Sequence, residues 1–298
     1  MTIDVMFPYY GDVAMMKAAV SSVLAQTDTD FKLTIVDDGF PDDSLPAYFE
    51  ELVASDDRIV YFKNETNLGA NGNYRKCVGL IEHEIVVIMG ADDLMKPNYL
   101  ATVRAAFENP EVDIVQPGIE VIDENGQVYL PLMDRIKAAM RRSLVGKASS
   151  AIVEGEALAA NLIDGNWLYF PSVAWRASAI KTHNFRQGYD VVQDLALALD
   201  VIMDGGKMFV TGTVCFQYRR HRESDSSVRA LDGRRFAEER RFFDEKVREF
   251  TALNWTRAAR AARFHVTSRL NAASLLPKVV SKRMWPGLRT LSAHVVKP

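Results

Sequence analysis

Through the first hundred residues, short apolar runs alternate with longer stretches in which apolar positions recur every three or four residues. Residues 3–7, 31–36, 58–63 and 84–89 form the short runs, and each stops at proline or at polar residues. Runs of this length predict strands, whereas residues 13–26, 45–54 and 72–81 carry helical spacing. Strands separated by helices pair in parallel, in a sheet covered on both faces. In such sheets a ligand sits in the crevice beyond the carboxyl ends of the strands. Here those ends carry Pro8, Tyr9 and Tyr10, then Asp37 and Asp38, then Asp92 and Asp93. Aromatic and acidic residues therefore gather at the place a ligand would occupy.

Later patterning is less regular. Residues 100–108 read as helix, 114–122 as strand, and Asn125-Gly126 as a hairpin turn. A clear helix follows at 191–203 and a strand at 208–218; from Arg234 the chain reads as helix until Pro277. No internal repeat or low-complexity segment interrupts this order.

The balance of 48% hydrophobic and 25% charged residues is that of an ordinary soluble globular protein, and a net charge of −3 gives no global pull toward nucleic acid. Charge is unevenly distributed, however. Residues 251–298 hold nine Lys or Arg and no Asp or Glu, which leaves −12 on residues 1–250. Trp255, Phe264 and Trp285 lie among those arginines and lysines, a composition suited to an anionic membrane surface. A helix packed on the rest of the chain, or a homo-oligomer contact, is the alternative. Cys77 and Cys215 are too few for a disulfide framework. With no signal-peptide pattern and no apolar stretch of membrane-spanning length, a cytoplasmic protein is expected, peripheral on the inner face of the cell membrane if the basic tail binds there.

Several strand ends carry candidate chemistry. Asp37 and Asp38 suit hydrogen bonds to a base or ribose, or simply a solvated Asp-Gly turn. Asp92 and Asp93 repel each other unless a cation neutralises them, which suits Mg²⁺ or Mn²⁺ bound to a diphosphate; a helix N-terminus is the alternative. Around Asn67, Gly69 and Asn73, glycines permit close backbone approach, and Arg75 with Lys76 is placed to reach phosphate. The Gly-Lys-Ser/Thr ending of a P-loop is absent, and so is a glycine-rich dinucleotide turn after the first strand.

Taken in order, FPYYGD, SSVLAQT, VDDG, NLGANGN and GADD resemble the pattern of the family 2 glycosyltransferases over about 90 residues. The resemblance implies an α/β chain of GT-A fold: a Rossmann-like doubly wound mixed sheet with helices on both faces, plus a helical C-terminal extension. It implies a catalytic domain at 1–233, with a nucleotide-binding half (1–100) and an acceptor-binding half (101–233), and a basic helical extension at 234–298. By the same resemblance, Pro8 and Tyr10 flank the base, Asp38 bonds it, and Tyr9, Asp37, Asn67, Gly69, Asn73, Arg75, Ala91 and Asp92 contribute to the nucleotide-sugar site. Asp92 and Asp93 take the metal positions for Mn²⁺ or Mg²⁺, although Gly90 stands where many members have a further aspartate. Asp194 matches the catalytic base that opens a later helix, with Gln193 in place of its usual acidic neighbour; read without the family, Asp194 is a first-turn helix acid. His221 resembles a metal or phosphate contact. Trp167, Tyr169 and Gln193 fall in the acceptor region, where aromatic residues stack on a sugar or simply fill a core.

The implied activity is inverting transfer from a nucleotide-sugar, UDP-linked first and dTDP-linked next, to a glycan or lipid-linked acceptor in bacterial polysaccharide or glycolipid assembly. A sugar-phosphate nucleotidyltransferase and a catalytically degenerate nucleotide-sugar-binding protein are the alternatives.

Overall fold

The computed structural model describes residues 1–146, 148–220 and 230–296. His221, with Ser224, Ser226 and Ser227, lies outside the described residues.

The strands of the first part are β1 (Ile3–Tyr9), β2 (Phe31–Asp37), β3 (Ile59–Lys63) and β4 (Ile85–Ile88), all parallel in the order β3-β2-β1-β4. Helices α1 (Val13–Leu24), α2 (Leu45–Ser55) and α3 (Gly69–Gly79) connect them. Asp12 starts α1 by accepting the Met15 amide at 2.8 Å, the usual device for satisfying an orphan amide in a first turn. Alternation along β1 sends Val5 and Phe7 into one core, against Met16 and Val20 of α1. Met6 enters the other, against Cys77 and Val78 of α3. The sheet is thus covered on both faces, as the alternation of elements predicts.

Beyond β4 come β5 (Leu94–Met95), α4 (Tyr99–Phe107), β6 (Val112–Ile122), α5 (Leu132–Val145), β7 (Ser150–Val153), α6 (Gly155–Asp164), β8 (Ala174–Arg176), α7 (Ala177–His183), α8 (Gln193–Met203) and β9 (Lys207–Arg219). Strand β8 lies antiparallel between β4 and β6, which makes the sheet mixed. The 13-residue β9 runs parallel to β6 and is paired on its other edge by β5 and β7. The expected Asn125-Gly126 turn is present: Gly126, at φ +80°, follows Ile122, which bridges Val128.

Four helices end the described chain: α9 (Arg234–Ala252), α10 (Thr256–Phe264), α11 (Val266–Ser281) and α12 (Trp285–Val296). Phe242 and Phe250 of α9 and Ala258 and Ala262 of α10 share a core with α6 and α8, so one hydrophobic interior crosses position 234. Helices α11 and α12 build a further small core, in which Ala272, Val279 and Leu291 pack with Phe236 of α9. Pro277 does not stop the helix there. The burial of Ala272 and Val279 on either side of it offsets the lost backbone bond. No helix among the described residues is long and apolar enough to cross a membrane.

Candidate active site

The carboxyl ends of β1, β2, β4 and β9 converge. Met89 donates its amide to the Met6 carbonyl at 2.9 Å, and the chain then turns through Gly90 to Asp92 and Asp93. Arg219, the last residue of β9, clamps this turn. Its amide reaches Asp93 Oδ1 at 2.7 Å, its Nε reaches the Asp92 carbonyl at 2.7 Å, and its Nη1 holds the carbonyls of Asp123 and Glu124. A Cβ at position 90 would lie 2.5 Å from Asp93 Oδ2 and 3.2 Å from Asp92 Oδ1. Both carboxylates therefore fold over the glycine, and the glycine permits it.

Asp93 is 1% exposed, and its Oδ2 has no hydrogen-bond partner among the described residues. Burial first, and the neighbouring Asp92 charge second, raise its pKa well above the carboxylate range. A buried acceptor with no donor, beside a second carboxylate, fits a hard divalent cation. No third His, Cys, Asp or Glu joins the pair among the described residues, so the remaining ligands would come from water or from a bound diphosphate.

At the end of β2 the two neighbouring aspartates part company. Asp37 faces inward, its Oδ1 accepting the amides of Gly39 and Phe40 at 2.9 Å and its Oδ2 the Tyr61 hydroxyl at 2.8 Å. Asp38 Oδ1 accepts Asn64 Nδ2 at 2.7 Å and the Leu68 amide at 2.8 Å, which ties the loop before α3 to the strand end. Pro8 is half-buried, while Tyr9 is buried with its hydroxyl on the Gly11 carbonyl. Tyr10 is exposed and meets Phe40 edge-on at 5.3 Å, leaving an aromatic surface at the crevice mouth.

Across the crevice, Asp194 occupies the first turn of α8 and accepts Asn166 Nδ2 at 3.2 Å. Burial raises its pKa, against the opposing pull of the Leu195 amide, Asn166 and Lys137. The phenols of Tyr74 and Tyr218 each feel the charges of Asp92, Asp93 and Asp194, so the acid pair and the distant acid lie near the same two rings. The segment before α8 is pinned from two sides. Glu238 of α9 accepts the amides of Asp190, Val191 and Val192, and Asn71 of α3 donates to the carbonyls of Arg186 and Tyr189 and to Gln193 Oε1.

On the acceptor side, Asp134 of α5 receives two bonds from Arg220, at 2.7 and 2.8 Å, and the Tyr169 hydroxyl at 2.7 Å. Lys137 sits 4.3 Å over the Tyr169 ring. Beside them a cleft of about 280 Å³ opens between β6 and α5.

A sequence model of the glycosyl transferase family 2 matches residues 4–176. The chain belongs to family 2. Among curated relatives, it is 30% identical over 125 residues to an uncharacterized glycosyltransferase of Methanocaldococcus jannaschii, a match covering 42% of this chain and 43% of that one. It is 25% identical over 126 residues to the Escherichia coli UDP-Glc:alpha-D-GlcNAc-diphosphoundecaprenol beta-1,3-glucosyltransferase WfgD, covering 42% and 49%. These matches span less than half of either relative. In fold it is similar to Staphylococcus aureus TarS 1–349 in complex with UDP-GlcNAc, with a TM-score of 0.71 and 17% identity over 99% of this chain and 82% of that one. The architecture is thus the GT-A fold, with a helical C-terminal region.

Of the residues that the family pattern names, Pro8, Tyr10, Asp38, Ala91, Asp92 and Asp93 stand at or just beyond the ends of β1, β2 and β4, Asp194 opens α8, and Tyr169 lines the β6–α5 cleft. Several other expected contacts are instead spent on the fold. Asp37 is satisfied internally by its two amides and a phenol. Asn73 donates to the Val36 carbonyl and accepts from Asn64, fastening α3 to β2. Arg75 turns from the phosphate position to the Phe185 carbonyl at 2.5 Å. Trp167 is 1% exposed with its Nε1 on Asn161, and so fills core rather than offering a face to a sugar. Gln193 is held by Asn71 and the Asp190 carbonyl. Asn67 caps the Gly69 amide on an exposed loop, where Gly69 takes φ +72°. Sequence reasoning passed over Tyr74, Asp134, Lys137 and Glu238. Asp134 was the detectable one, a lone acid in an otherwise apolar and basic helix.

Proposed function

We propose that this chain transfers a sugar from a nucleoside diphosphate sugar to an acceptor hydroxyl with inversion. The observation that carries the reading is the buried, unpartnered Asp93 Oδ2 beside Asp92 at a strand end, with Asp194, its pKa raised by burial, near the same two phenols. Tyr10 and Asp38 supply stacking and hydrogen bonding for the base. Support for a UDP-sugar comes from TarS, solved with UDP-GlcNAc, and from WfgD, named for UDP-Glc; dTDP is the next choice. A divalent cation, Mn²⁺ or Mg²⁺, held by Asp92 and Asp93 would neutralise charge on the diphosphate. Asp194 takes the proton of the acceptor hydroxyl, whose oxygen bonds to the anomeric carbon from the face opposite the diphosphate. The bond from that carbon to the diphosphate oxygen breaks, and its electron pair leaves with the nucleoside diphosphate. WfgD, named for a diphosphoundecaprenol-linked acceptor, supports a lipid-linked glycan here. The exposed Arg257, Arg260, Arg263, Lys282 and Arg283, with exposed Phe264 and Trp285, support contact with an anionic membrane surface.

Asp194→Asn tests the reading. Transfer should fall about 10²- to 10⁴-fold, the usual contribution of a general base, while the stabilisation of the protein by UDP with Mn²⁺ is retained. Wild-type turnover in this variant would remove Asp194 from the chemistry.

A further inference from the structure

The cleft between β6 and α5 is walled by Pro117, Ile119 and Val121 of the strand, by Val128 and Leu130 of the segment that pairs back along its end, and by Lys137 and Arg141 of α5. Its strand wall is irregular. The β6–β9 ladder slips on both sides of Gly118, where a Cβ would meet the Gly212 carbonyl oxygen at 2.7 Å. Such a slip re-aims side chains beside a site. The outer lip is apolar and open to solvent: Val128 is 60% exposed, Leu130 65%, Leu132 68% and Met133 55%. A contiguous apolar cluster of this kind marks a binding surface rather than scattered surface residues.

Charge inside the cleft is one-sided. Glu120 is paired with Lys96 at 3.0 Å, and Asp134 is consumed by Arg220 and Tyr169. Lys137 and Arg141 remain, and neither forms an ion pair with a carboxylate among the described residues. Lys137 Nζ donates to the Leu168 carbonyl at 3.1 Å and lies over the Tyr169 ring, and Arg141 Nε is buried with no hydrogen-bond partner among those residues. Burial, and then the charge of Arg220, push the Lys137 ammonium down to about 8, against the smaller opposing pull of Asp134 and Asp194. The inner end of the cleft is bounded by Trp167 and Tyr169, and the adjacent Asn166 holds Asp194.

We propose that this cleft is an acceptor subsite for a phosphate joined to an apolar chain. Arg141 and Lys137 take the phosphate, the walls and the lip take the chain, and the sugar beyond the phosphate reaches Asp194. The proposal rests on the transferase reading above and names its acceptor class.

Calorimetric titration of the full chain with farnesyl phosphate, farnesol, glycerol 3-phosphate and inorganic phosphate separates the contributions. Farnesyl phosphate should bind at least about tenfold tighter than the other three, since a charged hydrogen bond and an apolar chain each add that much. Arg141→Gln should weaken farnesyl phosphate about tenfold and leave farnesol unchanged; Leu130→Ser should weaken both. Equal affinity for farnesol and farnesyl phosphate would overturn the phosphate assignment, and equal affinity for glycerol 3-phosphate would overturn the apolar one. Unaltered farnesyl phosphate binding by Arg141→Gln would place the ligand elsewhere. Thermal stabilisation by UDP with Mn²⁺, measured on the same samples, reads the donor site alone: its absence counts against the transferase reading and its presence leaves any failure with the cleft.

Discussion

One methyl group at position 90 has no room. Such a Cβ would sit 2.5 Å from Asp93 Oδ2, so Gly90→Ala must push the acid pair apart. Donor affinity in the presence of Mn²⁺ should drop at least about tenfold, the cost of losing one good charged contact, and a titration with UDP would show it. Asp194 yields a prediction of opposite sign for stability. Its folded pKa is raised above the unfolded value, so ionisation is more costly in the native state; stability is greatest with the group protonated and falls as pH rises through the raised pKa. At neutral pH the ionised group is a net burden, and Asp194→Asn should melt at or above the wild-type temperature even as it loses turnover. The same shift moves the acidic limb of the rate profile to higher pH than an unperturbed aspartate would give. Asn166→Ala, which removes a hydrogen bond that lowers this pKa, should move that limb to still higher pH. Sequence reasoning identified the acids at the strand ends and, through the family pattern, gave the base to Asp38, but not that Asp37 is spent on Gly39, Phe40 and Tyr61. Successive side chains alternate across a pleat, and nothing in VDDG fixes that phase.

At the level of elements, the segment before α8 depends on a carboxylate from a distant helix. Glu238 gathers three amides that would otherwise lie unpaired just ahead of Asp194. Glu238→Ala should therefore lower kcat by an order of magnitude or more with little change in UDP affinity, a split that steady-state kinetics would resolve. Helices α11 and α12 carry a different sensitivity. His265 stacks on Phe243 at 4.6 Å, and His294 lies 4.9 Å from His265, with Ser268, Glu239, Arg240, Arg269 and Phe236 around the pair. Burial lowers both pKa values, that of His294 to about 4. The unfolded chain thus binds protons first, and stability is lost as pH falls from about 6.5 toward 4. Protection of residues 266–296 from hydrogen exchange, relative to the intrinsic rate at each pH, should fall between pH 7 and 5, and His294→Phe should flatten that response; equal protection at both pH values would disprove it. The first four strands were legible because each is a plain apolar run. Helix α5 was not, because Leu132, Met133 and Ile136 face solvent while the buried residue is Asp134, the inverse of the expected pattern. Strand β8 was hidden by its length of three residues.

Across the whole molecule, the order of elements was readable and their spatial joining was not. The family match ends at residue 176, before the helix that carries Asp194 and before β9, whose last residue clamps the acid pair. Those later parts reach the site by long-range pairing that no local pattern records. Lys246 of α9 shows this most directly. It is fully buried, bonded to Asp200 of α8 and to Glu249 at 2.7 Å each, and Arg186 binds the same two carboxylates. Removal of one member of such a network leaves uncompensated charge inside, which costs on the order of 3–5 kcal/mol. A chain cut after residue 233 would therefore present Asp200 and Arg186 with no lysine between them and strip the lid from a phenylalanine-lined interior. Exchanging C-terminal pieces between relatives therefore calls for a junction past Glu249, since one placed between Arg186 and Glu249 splits a charge cluster that two partners must supply together.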